Sequence, residues 1–137
     1  HLISSTPTIV EGAGGLLVPI CKNFLMRDLI KMMGLRLIIV AHTLMGTLNH
    51  ILLTIEAAQS FNIPILGIIL YSNNNYPYLL ETINHFTSVP ILAQIPWQNS
   101  LQKKHLLQIA LEIFNQSKLD LFFGKKNPAY CSPSSFF

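Results

Sequence analysis

Glu11 is one of only six acidic residues among 137. In "TIVEGAGGLLVP" it stands between an apolar run, residues 8–10, and three glycines, Gly12, Gly14 and Gly15. A carboxylate so placed can serve a hard cation, because Mg2+ takes one or two protein carboxylates and completes its shell with water and phosphate oxygens. The glycines allow a ligand to approach bare backbone. The same residues also describe a solvated carboxylate ahead of a glycine turn, and composition leaves both readings open. The stretch is not the dinucleotide fingerprint, since GxGxxG begun at Gly12 needs glycine where Leu17 stands. Near the end, "FGKK" lacks both the first glycine and the hydroxyl of a GxxxxGK[ST] loop.

A second candidate is "MGTLNH", residues 45–50, which opens a helix directly after a strand. Backbone N–H groups of Gly46, Thr47 and Leu48, with the helix dipole behind them, form an anion seat to which Asn49 adds a donor. An ordinary capped helix is the alternative. Two loops, "YSNNNYP" and "IPWQNS", carry amides and aromatic faces. Trp97 either borders a flat heterocycle or packs on its own protein. His42 and His50 lack the spacing of a metal pair and are read as hydrogen-bonded rim or core residues. No nucleophile triad and no second rim carboxylate is evident. His85 and His105 are assigned to helix surfaces, Glu56, Glu81 and Glu112 to solvated helix positions, and Asp28 to a structural role.

These candidates need a scaffold, and hydrophobic period supplies one. Strands are predicted over residues 8–10, 36–41, 65–70 and 89–95. Helices are predicted over residues 24–33 (stopped by Gly34), 47–61 (ended by Asn62 and Pro64), 78–86 (with Pro77 in its first turn) and 101–115. Strands apolar on both faces, alternating with helices, predict a parallel α/β sheet with helices on both faces. Ligands of such sheets sit at the carboxyl ends of the strands. Residues 11–15, 42–49, 71–75 and 96–98 should therefore share one rim.

The totals fit this scheme. Half of the residues are hydrophobic and 11% charged, which excludes disorder and allows one buried core. The longest apolar runs fall well short of the roughly 18 residues that cross a bilayer. The net charge of +3 is scattered without an aromatic-interleaved stripe, so no nucleic-acid partner and no membrane is expected. Cys21 and Cys131 form no CxxC pair and are read as reduced thiols of a cytoplasmic protein, with a disulfide as the alternative. The chain opens on His1 rather than methionine, and the expectation is a piece of a longer protein.

"VEGAGGLLVP", "LIIVA…MGTLNHILLTIEAAQ", "ILGIIL" and "AQIPW" occur here in the order and spacing found in dethiobiotin synthetases. Over residues 8–121 the chain resembles the C-terminal part of that family, whose fold is of the P-loop NTPase type. The resemblance implies an ATP- and Mg2+-dependent enzyme that joins CO2 to 7,8-diaminopelargonate and closes a ureido ring. It implies Glu11 as a Mg2+ ligand and Gly12, Ala13 and Gly14 beside the nucleotide. Tyr71, Ser72, Pro96, Trp97 and Gln98 would frame the adenine. Gly46, Thr47, Leu48 and Asn49 would hold the substrate's carboxylate across a homodimer interface. The family usually carries Asn where Tyr71 stands, and Asn73 and Asn74 are the nearest amides. Its glycine-rich loop and catalytic lysines belong to an N-terminal part with no counterpart in these 137 residues, so no catalytic residue is assigned. Residues 1–121 are expected to be one incomplete α/β domain and residues 122–137 an irregular tail. A non-catalytic remnant or dimerisation module of the same fold, and a related P-loop ATPase or amidotransferase-type synthase, are the alternatives.

Overall fold

The computed structural model describes residues 8–72, 77–98 and 102–113. A short hairpin comes first, β1 (Pro19–Cys21) and β2 (Phe24–Leu25), followed by α1 (Met26–Met32). Then the chain alternates: β3 (Leu37–His42), α2 (Thr47–Ser60), β4 (Ile65–Ser72), α3 (Pro77–Phe86), β5 (Ile91–Pro96) and α4 (Lys103–Ile113). The three long strands form a parallel sheet in the order β3-β4-β5. The class expected from the alternation is the one observed.

Side chains alternate across a strand, and the register shows which face each residue serves. Ile39 lies opposite Ile68, and Ala41 opposite Leu70. This face packs with Ile51 and Ile55 of α2, Ile83 of α3 and Val89 to make the main core. On α2 the buried positions Thr47, Ile51, Ile55 and Ala58 follow helical spacing, so one stripe of that helix covers the sheet. The opposite face carries Val40 beside Ile69, and His42 beside Tyr71. Val40 is 69% exposed where Ile39 is 7% exposed, so the two faces of β3 are covered very differently.

A second cluster, Leu16 with Ala58 and Ile63, joins the hairpin region to the end of α2 and the start of β4. Arg27 adds to that joint by placing its guanidinium 3.4 Å from the centroid of the Phe61 ring. Asp28 has the structural role expected of it, because its carboxylate accepts the Leu25 N–H at 2.7 Å and closes the first turn of α1. Leucine has no acceptor to reciprocate, so this cap rests on one bond. Asp28→Ala should cost about 1 kcal/mol of unfolding free energy in urea titrations. A stability equal to wild type would show that the cap contributes nothing.

Two predicted boundaries are corrected. Residues 8–10 are not a strand: Ile9 and Val10 are exposed, and the ladder of β3 is made with β4. An apolar run becomes a strand only when a neighbour pairs with its backbone, and period alone cannot supply that neighbour. The helix predicted over residues 24–33 starts at Met26, because Phe24 and Leu25 pair back onto β1. Asn23 makes that reversal in the left-handed region, at φ 62°. The predicted stop at Gly34 is present, with φ +65°. The turn residues 73–75, the end of the last predicted helix and the tail 122–137 lie outside the described residues. No helix among the described residues is long and apolar enough to cross a membrane.

Candidate functional site

Parallel register brings three of the four predicted rim segments to one edge. His42 lies opposite Tyr71, and Ser72 opposite Pro96, so β3, β4 and β5 finish level with one another. Hydrogen bonds continue past the strands. The Thr43 N–H donates to the Tyr71 carbonyl at 3.1 Å, and the Trp97 N–H to the Ser72 carbonyl at 2.7 Å. Between the side chains, the Thr43 hydroxyl donates to the Ser72 hydroxyl. Thr43 is buried at 8% exposure and Ser72 is half-buried, so this bond is part-buried.

Three aromatic rings gather at the same edge, one from each strand end. Tyr71 and Trp97 lie with centroids 5.3 Å apart and planes tilted by 38°. His42 meets Tyr71 edge-on at 5.6 Å and Trp97 at 6.2 Å. Trp97 is still 47% exposed, so it packs on its own protein and also offers a flat apolar surface to the rim. Of the two readings of Trp97, packing on its own protein is the one these ring contacts show. His42 sits at the rim, and its Nδ1 is enclosed without a hydrogen-bond partner. The Gln98 side-chain amide donates to the Pro96 carbonyl at 3.0 Å and folds the chain back after β5.

The loop from β3 into α2 is held by Thr47. Its hydroxyl accepts the Leu44 N–H at 3.0 Å and donates to the His42 carbonyl, while its own N–H donates to the Leu44 carbonyl at 3.1 Å. Gly46 precedes it with φ 87°, a left-handed conformation that glycine adopts at little cost. The seat expected at Gly46, Thr47 and Leu48 is thus narrower than the sequence suggested, because the Thr47 N–H is already engaged. Among the described residues the N–H groups of Leu48 and Asn49 have no backbone acceptor, as the first turn of a helix leaves them. Asn49 is exposed at this end. Leu44 and Met45, at 68% and 104% exposure, stand out from the same loop.

Glu11, Gly12, Ala13 and Gly14 lie in an exposed irregular stretch ahead of the hairpin. Gly12 faces α1, where a Cβ would meet the Met26 sulfur at 3.5 Å. Gly14 has φ +75°, and the Gly15 carbonyl then accepts the Val18 N–H at 3.1 Å. Leu16 follows and inserts beside Ala58 and Ile63. The structure thus ties this segment to α1 and the second cluster, while the other three segments are tied to one another. Glu56, Glu81, His50, His85 and His105 are exposed, as read from the sequence, and Cys21 is a free exposed thiol.

Sequence reasoning passed over Thr43 and the meeting of His42 with the two other rings. Their signal was available in principle, since level parallel strands place the residues after "LIIVA", "ILGIIL" and "ILAQI" side by side. Register, however, is set by packing and not by period.

A family described as "AAA domain" matches residues 3–105. The chain belongs to this family. Its relatives include an ATP-dependent dethiobiotin synthetase of Lawsonia intracellularis, 37% identical over 110 residues that cover 80% of this chain and 54% of the relative. The ATP-dependent dethiobiotin synthetase of Bacillus subtilis is 37% identical over 116 residues, 81% of this chain and 50% of the relative. A biotin biosynthesis bifunctional protein of Bordetella avium is 43% identical over 96 residues, 68% of this chain and 20% of the relative. The likeness to dethiobiotin synthetases carried by "VEGAGG" and "GTLNH" is thereby supported over most of the chain, and so is the P-loop class of the parallel sheet. The chain spans about half the length of the curated single-function relatives it matches.

Proposed function

We propose that this chain supplies the base-binding and carboxylate-binding half of a dethiobiotin synthetase. That enzyme closes the ureido ring of dethiobiotin from 7,8-diaminopelargonate, CO2 and ATP. The observation that carries the reading is the convergence of three strand-end loops, with an aromatic cluster beside a helix N-terminus. A purine needs a flat apolar surface, which Trp97 and Tyr71 offer, with Ser72, Pro96 and Gln98 around them. A carboxylate needs unpaired N–H groups and a favourable dipole, which Leu48 and Asn49 offer behind Gly46 and Thr47. In the proposed reaction one amine adds to CO2 as a carbamate with loss of a proton. Phosphorylation by ATP makes its oxygen a leaving group, and the second amine displaces phosphate. The residues of this chain orient the two substrates for those steps.

For Mg2+, the donor set fits a cation that is completed by phosphate and water. Glu11 is exposed, and no group of three or more ligating side chains occurs among the described residues. Glu11 would hold the ion, with Gly12, Ala13 and Gly14 beside the nucleotide, and the bound ion would neutralise phosphate charge. A homodimer in the cytoplasm belongs to the same proposal, the carboxylate seat serving the neighbouring site.

The 137 residues contain no complete phosphate-binding loop, and phosphoryl transfer depends on positioned cationic and backbone donors. The purified chain should therefore bind ATP and diaminopelargonate in calorimetry without diaminopelargonate-dependent ATP hydrolysis. Mg2+ should strengthen ATP binding, and Glu11→Gln should remove most of that gain. Failure of either ligand to bind would overturn the reading. Turnover by the chain alone would instead overturn its assignment as an incomplete portion.

A further inference from the structure

We infer that Thr43 is a positioning residue that couples the two halves of the rim, so that a ligand on one half strengthens binding on the other. The inference rests on the proposed placement of nucleotide and diamine. Thr43 sits between the elements that would hold them. Its N–H and its hydroxyl both reach β4, the first donating to the Tyr71 carbonyl and the second to the Ser72 hydroxyl. The Ser72 carbonyl in turn accepts the Trp97 N–H. In the other direction the chain passes from Thr43 through Leu44, whose N–H is held by the Thr47 hydroxyl at the start of α2. That hydroxyl also donates to the His42 carbonyl, so the residues on both sides of Thr43 are fixed by Thr47.

Trp97, Ser72, Tyr71 and Thr43 are thus joined by hydrogen bonds, and Thr43 is joined to Thr47 at the helix N-terminus through its chain neighbours His42 and Leu44. Thr43 and Thr47 are the buried polar residues of the structure among those described. Their hydroxyls make part-buried hydrogen bonds, and leaving such a partner unsatisfied is costly. Both residues are enclosed behind the rim surface, at 8% and 7% exposure. Their effect is to hold the two loops in one arrangement. A ligand that orders one loop then lowers the ordering cost for the other, which is positive coupling, and the coupling is reciprocal.

The chain carries a built-in probe, because Trp97 is its single tryptophan. AMP titrations followed by Trp97 emission, excited selectively at the red edge of indole absorption, should be run on the full 137-residue chain with and without saturating 7,8-diaminopelargonate. In the wild-type chain the diamine should tighten AMP binding by about fivefold to tenfold, at the lower end of ordinary coupling. Thr43→Val should bring that factor to one while AMP alone still binds, and Thr43→Ser, which keeps the hydroxyl, should restore it. A merely structural role would lower thermal stability and leave the factor unchanged. Ser72→Ala tests the bond from its other end if Thr43→Val does not fold, and it should also abolish the factor. AMP binding with no coupling in the wild-type chain, or coupling that survives the loss of the hydroxyl, overturns the role of Thr43 and leaves the nucleotide reading standing. Failure of either ligand to bind the wild-type chain overturns the two together.

Discussion

Gly67→Ala should destabilise the fold by roughly 2–3 kcal/mol, the scale of overpacking in a well-packed interior. Gly67 is buried in β4 where the register with β3 shifts, just ahead of the shift with β5 between Ile68 and Ile69. A Cβ built there would lie 2.5 Å from Leu92 Cγ and 2.6 Å from the Pro90 carbonyl oxygen. Leu92 is 3% exposed, so its side chain has little room to turn aside. The carbonyl cannot move without cost, because it accepts the Ile68 N–H at 2.9 Å and begins the pairing of β4 with β5. Only glycine lets the central strand approach its neighbour this closely. Urea unfolding should show a lower midpoint with an unchanged slope. A variant as stable as the wild type would mean that β5 is free to shift at no cost, and the level ends of β4 and β5 would lose their support.

Gly46→Val should do two separable things. At φ +87° a branched side chain is strained, and the left-handed conformation costs roughly 1–2 kcal/mol for a residue with a Cβ. Nothing lies within 4 Å of the position an added Cβ would take, so this cost comes from the backbone and not from a clash. The same open space is what the proposed carboxylate would use to reach Leu48 and Asn49. Valine should therefore weaken diaminopelargonate binding by at least about tenfold, the size of a lost bond to a charged group, while ATP binding changes little. Gly46→Asn separates the effects, because asparagine tolerates left-handed backbone but still fills the space. It should recover most of the thermal stability and little of the diamine affinity. Calorimetry showing wild-type affinity in both variants would move the carboxylate away from α2.

The alternation of strand and helix was legible without coordinates, because each element buries its own periodic face. The run "LIIVA" needs cover on both sides, and "TLNHILLTIEAAQ" has one apolar stripe to give. Gly34 and Asn62 ended their helices as read, since left-handed stops are local backbone chemistry. Glu11 was legible as an exposed carboxylate among glycines, and "GTLNH" as a helix start with spare N–H groups.

Tertiary structure decided what period cannot carry. Residues 8–10 have the apolar character of a strand, yet pairing is a property of two segments, and their partner is not written into their own residues. Phe24 and Leu25 have helical spacing with the residues that follow, but the turn at Asn23 returned them to β1. The bond from Thr43 to Ser72 and the gathering of His42, Tyr71 and Trp97 depend on where three strands end relative to one another. That alignment comes from Ile39, Ile68 and Leu70 packing beneath α2 and α3 and from the close approach at Gly67. Residue types and their order named the groups available at the rim, but only the packed sheet set those side chains at contact distance.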